Sequence, residues 1–245
     1  MVTTLHSSDI KEQIFELKER RNAVILVHNY QVGEIQDMAD YVGDSLGLSY
    51  HAKKTEAEVI AFCGVHFMAE SADILTHDHQ VVMMPNIRAG CSMADMADLA
   101  DVQHCWNELI DGFGLLDPAM RDDPDEPAPL GEAYLVPVTY MNSSADLKGF
   151  VGEHGGIVCT STNASGVLEW ALKRAGVGGK VLFFPDQHLG RNTALKMGYR
   201  ESDTAVWNPM FDSDWDGLRD ATFVLWHGYC SVHQRFTTEQ IGALR

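Results

Sequence analysis

Positive charge is scarce in this sequence: 18 Lys and Arg stand against 35 Asp and Glu, a formal net charge of −17. That balance argues against a surface that tracks nucleic-acid phosphates or anionic lipid, so an anionic ligand has to be met by local groups. Long apolar runs are missing too, none reaching the ~20 residues that span a bilayer. The N-terminus, Met1-Val2-Thr3-Thr4-Leu5-His6, has no basic stretch leading into an apolar one. These absences point to the cytoplasm, with no membrane and no nucleic-acid partner. Cysteine is sparse and odd in number, five in all without a Cys-x-x-Cys pair, which argues against a disulfide framework and a local zinc knuckle. No dinucleotide or P-loop fingerprint occurs either. The glycine-rich Gly176-Val177-Gly178-Gly179-Lys180 precedes a strand rather than following one, and reads as a helix C-terminal turn.

What is present is ordinary globular material, 45% hydrophobic and 22% charged over 245 residues, enough for one large or two modest domains. Ile10, Ile14 and Leu17 share one face of an expected amphipathic helix, with Ser7 or Ser8 as its N-cap. Ala23 to Val27 is continuously apolar and β-branched, as in a strand covered on both faces. Ile35, Met38, Ala39 and Val42 then return to a helical period, broken at Gly43-Asp44, and a second helix restarts with Ser45 as a candidate cap. Further strands are expected at 59–62, 81–84, 135–138, 157–159, 181–184 and 222–226. Helical segments between most of them predict an α/β fold with parallel sheets. The Pro- and Asp-rich stretch at 117–132 reads as an exposed linker without chemistry, dividing a first αβα domain, 1–116, from a second, 133–245. Thr237 to Ile241 opens a capped helix that has barely begun when the sequence stops, so a continuation is expected.

Ligands of open α/β sheets gather beyond the carboxyl ends of the strands. His28 and Tyr30, His66, Tyr140, Asn142 and Ser143, then 160–163, Asp186, Gln187 and His188, and finally His227 to His233 all follow apolar runs. Any one of these reads as a hydrogen-bonded boundary residue; their recurrence favours a site. Ser45 and Ser161 precede expected helices, where a hydroxyl and free N–H groups can hold phosphate or carboxylate, or simply cap. Cys63, Cys105 and Cys159 sit in apolar or helical contexts as small buried hydrophobes. Cys91 and Cys230 lie in turns after strands, placed as metal ligands, with a cluster drawing on separate domains one option. A zinc enzyme using Cys91, Cys230 and His233 is another, ranked well below.

Several strings together closely resemble the quinolinate synthase family: Val27-His28-Asn29-Tyr30-Gln31, Asp40 to Leu46, and Phe62 to Glu70. The match continues through Ala89 to Ala94, Tyr140-Met141-Asn142, Cys159 to Ala164, Pro185 to Arg191 and Gly228 to His233. The resemblance implies Rossmann-like αβα domains around a pseudo-threefold axis, each giving one cysteine to a [4Fe-4S] cluster. Cys91 and Cys230 match the ligands of the first two domains, while Cys159 matches a position that is not a ligand. The family reaction condenses iminoaspartate with dihydroxyacetone phosphate to quinolinate in NAD biosynthesis, with L-aspartate oxidase or aspartate dehydrogenase supplying the first substrate. His28, Ser45, Tyr140, Met141, Asn142 and Ser161 match substrate-binding positions. Tyr30 matches a tyrosine that moves protons, and His28 joins it as a catalytic candidate. The family's third domain, with a His-Pro-Glu motif, a further Thr and the third cysteine, has no counterpart before Arg245. The alternative expectation is therefore a non-catalytic chain that binds small anions and cannot assemble a cluster.

Overall fold

The computed structural model describes residues 7–121 and 126–244, without the side chains of Ser7 and Ser8, so the expected capping by either lies outside the described residues. Two compact units emerge, Met1–Cys91 and Ser92–Arg245.

In the first unit, α1 (Ser7–Arg20) leads into β1 (Ala23–His28), followed by α2 (Gly33–Gln36), β2 (Tyr41–Gly43), α3 (Ser45–Lys54), β3 (Val59–Cys63), α4 (His66–Leu75) and β4 (Val81–Met83). The strands form one parallel sheet in the order β2-β1-β3-β4. β1 is buried over nearly its whole length, as its unbroken apolar run predicts. β3 instead alternates: Ile60 and Phe62 are buried, whereas Val59, Ala61 and Cys63 are partly exposed. Cys63 is thus half-buried at a strand end, not the fully buried hydrophobe expected. The face of α1 bearing Ile10 and Leu17 is also exposed.

The helix expected across Ile35 to Val42 is replaced by one turn, α2, and a short edge strand, β2. Asp40 accounts for the change. Its amide donates to Ile25 O at 2.9 Å, one carboxylate oxygen accepts from Ile25 N at 2.8 Å, and the other accepts from Lys18 Nζ at 2.5 Å. A residue bound to β1 through both backbone and side chain cannot continue a helix. The cap of α3 is also Asp44 rather than Ser45: Asp44 accepts from Gly47 N at 2.7 Å, and Ser45 is the first helical residue.

The second unit begins with α5 (Leu99–Phe113) and continues through β5 (Leu135–Tyr140), α6 (Ala145–Glu153), β6 (Ile157–Cys159), α7 (Ala164–Ala175), β7 (Lys180–Phe184), α8 (Gln187–Lys196), β8 (Thr204–Trp207), α9 (Trp215–Asp220), β9 (Phe223–Trp226) and α10 (Thr238–Ala243). Its sheet is parallel, in the order β6-β5-β7-β9-β8. Alternation along β5 and β7 feeds two cores. Leu135, Leu182, Phe184 and Trp226 face α5 and α6, while Val136, Val138, Phe183 and Leu225 face α7 and α8. Helices on both faces make this a three-layer αβα unit.

Val102, Cys105, Trp106 and Leu109 of α5 join the first of those cores. Residues 92–116 therefore pack in the second unit, whereas the sequence places them in the first domain. The acidic stretch is likewise docked rather than a bare linker. Pro118 is buried, Asp117 lies 2.5 Å from His154 Nδ1, and Ala128 N donates to Lys173 O at 3.1 Å. The turn at Gly176, with φ of 74°, ends α7 as expected, and Thr237 with Gln240 forms the capping box of α10. No helix among the described residues is long and apolar enough to cross a membrane.

Candidate active site

In each sheet the chain builds outward from a central strand in both directions, so a crevice opens between β1 and β3 in the first unit and between β5 and β7 in the second. His28 and Tyr30 follow β1, and Tyr140 to Asn142 lie at the end of β5, the strands that border these crevices, whereas Ser45 and Ser161 follow the neighbouring strands β2 and β6.

In the first unit, β1 delivers His28 and Tyr30. His28 is 6% exposed and Tyr30 83% exposed, with ring centroids 4.4 Å apart in an edge-on arrangement. Tyr30 N donates to His28 Nδ1 at 3.2 Å. Since Nδ1 accepts, the neutral ring carries its proton on Nε2 and presents a donor. Burial pulls the imidazole below its ordinary value of 6.5, opposed by the negative charge of Asp44. His28 is thus held neutral. Ser45, partly exposed, opens α3, where the first helical N–H groups lack partners within the helix. Asp44 already takes one of these, from Gly47. The role of Asp44 escaped the sequence reading, although an acid directly before a helix is itself a cap signal.

In the second unit, Tyr140 ends β5 and Met141 and Asn142 follow it, with Met141 buried. Met141 N donates to Cys159 O at 2.7 Å, which fastens this end to β6. Buried Ser143 donates to Tyr140 O at 2.8 Å and contacts Thr139 Oγ1 at 2.9 Å, so its hydroxyl shapes the turn. Ser161 is exposed in the turn before α7, where Thr160 N donates to Asn163 Oδ1 at 2.7 Å. Across the crevice, Asp186 is buried and caps α8 by accepting from His188 N at 2.8 Å and Leu189 N at 3.3 Å. The structure therefore brings His28, Tyr30, Asp44 and Ser45 to one sheet edge, and Tyr140, Met141, Asn142 and Ser161 to another.

The cysteines divide as their surroundings dictate. Burial pushes the Cys159 thiol up to about 12, Cys105 well above its ordinary value, and Cys63 upward as well. A thiol so disfavoured as thiolate is a poor metal ligand. Cys91 and Cys230 are partly exposed, in loop residues directly before the turns that begin at Ser92 and Ser231. Ser92 and Ser231, the residues that follow them, approach to 3.5 Å between hydroxyls within the second unit. Tyr229 N points at Met96 Sδ at 3.4 Å, and Trp226 Nε1 donates to Met96 O at 2.8 Å. The turn leading to Cys230 is thus anchored to the segment that follows Ser92.

The family described as Quinolinate synthetase A protein matches residues 12–245. This chain belongs to the quinolinate synthase family. It is 55% identical over 226 residues to the quinolinate synthase of Corynebacterium glutamicum, covering 91% of this chain and 52% of that protein. The quinolinate synthase of Acidobacterium capsulatum is 46% identical over 245 residues, covering 98% of this chain and 60% of that protein. That of Bacillus subtilis is 43% identical over 246 residues, covering 98% and 61%. The chain thus spans about half to three-fifths of the length of these curated relatives.

Iron–sulfur clusters are held by Cys thiolates, usually four, so the donor set can be weighed against the [4Fe-4S] cluster that the family resemblance implies. Cys91 and Cys230 are the two partly exposed thiols that lie outside the helices and strands. Among the described residues, no group of three or more His, Cys, Asp or Glu could hold a metal ion.

Proposed function

We propose that this chain carries the first two domains of a quinolinate synthase, acting in NAD biosynthesis by condensing iminoaspartate with dihydroxyacetone phosphate. The carrying observation is buried His28, whose neutral ring is fixed as an Nε2–H donor at the crevice of the first sheet. A donor in a low-dielectric setting binds carboxylate or phosphate oxygen without bringing a proton of its own to lose. The free N–H groups and hydroxyl at Ser45 add a second anion contact, directional rather than charged. Tyr30 pairs with His28 and exposes its phenol, which suits it to move a proton between bound substrate and solvent. Tyr140, Met141, Asn142 and Ser161 match the family's substrate-binding positions and are proposed to hold substrate polar groups. Cys91 and Cys230 provide two thiolates to a [4Fe-4S] cluster, whose chemistry when bound is Lewis-acid polarisation of a substrate oxygen or nitrogen. A third domain completing a pseudo-threefold arrangement, and an upstream L-aspartate oxidase or aspartate dehydrogenase, belong to the same proposal.

Anaerobic reconstitution of the chain with iron and sulfide tests this reading. The expected result is about four irons per chain, the content of one cubane cluster, lost in Cys91→Ala and Cys230→Ala and kept in Cys159→Ala. Stoichiometric zinc binding with no iron–sulfur uptake would overturn it. The second reading, an anion-binding chain that assembles no cluster, is favoured by the lack of a three-donor group among the described residues. It predicts quinolinate binding without iron uptake.

A further inference from the structure

Two histidines flank the crevice of the first sheet, His28 ending β1 and His66 opening α4 shortly after β3. Val27 pairs with Cys63, so the two segments leave the sheet as neighbours from strands ~4.8 Å apart. His66 N donates to Ala89 O at 2.8 Å, which ties the start of α4 to the loop after β4. The sequence resemblance assigns His28 a role and leaves His66 without one.

The two imidazoles meet different neighbours at Nδ1. Nδ1 of His28 accepts a hydrogen bond, so its Nε2 is the donor. Nδ1 of His66 faces Glu70 Oε1 at 3.5 Å, one turn further along α4. A carboxylate can only accept, so Glu70 favours the proton on Nδ1 and leaves a lone pair on Nε2. The 3.5 Å separation is long for a hydrogen bond, a looseness common at catalytic pairs without substrate. The His66 side chain is 47% exposed, within reach of a ligand.

We infer that His66, oriented by Glu70, is the proton-accepting partner of His28 in this crevice. The inference rests on the reading of His28 as an anion-binding donor and adds a proton acceptor distinct from Tyr30. His28 Nε2–H donates to a carboxylate or phosphate oxygen of the bound molecule. His66 Nε2 takes the proton of a substrate O–H or N–H, and the electron pair of that bond forms a C=O or C=N double bond as the C–O bond to a hydroxyl on the same carbon breaks. The resulting imidazolium faces the Glu70 carboxylate, and the proton is returned to a departing hydroxide, which leaves as water. Donor and acceptor are thus supplied by neighbouring strand ends through tautomer control.

The test uses the full chain with ¹⁵N-labelled histidine, with long-range ¹H–¹⁵N correlations recorded at alkaline pH, His28→Gln and His66→Gln for assignment, and quinolinate as the probe. The expected result is an Nε2–H ring at His28 and an Nδ1–H ring at His66, both shifting along one saturation curve with quinolinate. Glu70→Ala should move His66 toward Nε2–H and leave His28 unchanged. An Nε2–H ring at His66 in the unsubstituted protein overturns the inference. So does a His66 that is silent while His28 responds, a result that leaves the anion-binding reading standing. If neither ring responds, both fall.

Discussion

Gly228 stands in the turn between β9 and Cys230, where the second unit has no room for a side chain. Its carbonyl accepts from Gln187 N at 3.0 Å, and its amide donates to Trp226 O at 2.8 Å. A Cβ placed there would meet the Pro185 carbonyl oxygen well inside 3.0 Å, with Pro185 C at 3.2 Å and Trp226 Cδ1 at 3.4 Å. The main obstacle is backbone, and Trp226 is fully buried, so no rotamer change relieves the clash. In Gly228→Ala the turn has to retreat and give up its bond to Gln187. Overpacking of this kind costs ~1–3 kcal/mol, and a lost backbone hydrogen bond adds ~1 kcal/mol. At about 2–4 °C per kcal/mol for a unit of this size, the loss of ~2–4 kcal/mol lowers the melting temperature by roughly 10 °C. Gly149→Ala is the matched control: it lies in α6 with nothing within 4 Å of the added carbon, and helix propensity favours it by up to ~1 kcal/mol. Thermal melts followed by circular dichroism compare the two, and Cys230 labelling reports whether the turn has moved. A Gly228→Ala protein melting within ~2 °C of the parent would refute the argument.

Because burial holds His28 below 6.5 despite Asp44, the unfolded chain binds that proton more tightly than the fold does. The contribution is complete above 6.5 and is lost as pH falls through 6.5 toward the depressed value; urea midpoints should fall on acidification, and an equally steep profile in His28→Gln would count against it. Lys180 Nζ donates to Arg219 O at 2.8 Å and to Ala221 O at the end of α9, so Lys180→Met should cost ~2–3 kcal/mol in urea unfolding. Ellman's reagent should label Cys91 and Cys230 readily in the native protein, Cys63 slowly, and buried Cys105 and Cys159 only on unfolding; rapid native labelling of Cys159 would contradict its burial.

The sequence made the long central strands legible because β1, β5 and β7 are continuous apolar runs that need no partner to be recognised. β2 and β8 were hidden for the opposite reason. Tyr41-Val42-Gly43 is too short to show a period, and Ile35, Met38 and Val42 mimic a helical spacing that Asp40 overrides from a strand distant in sequence. The apolar face of α5 announces burial without saying against which sheet, so the division between units could not be placed from it. The site residues were readable as strand-end residues. The ring orientations of His28 and His66 were not, since they depend on one backbone amide and one carboxylate whose directions appear only in three dimensions.

Asp40 also has a reach beyond the edge it secures. By bonding Ile25 through both backbone and carboxylate, it sets Leu26 beside Tyr41, Val27 beside Val42 and His28 beside Gly43. Asp44 therefore follows immediately after the residue paired with the buried imidazole. A slip of one position would bring Val42 or Asp44 itself opposite His28 and change the local field in either case. The acidity of His28 is thus governed from the opposite end of the strand: replacing Asp40, which touches no candidate ligand group, should retune the ring by changing which neighbour arrives beside it.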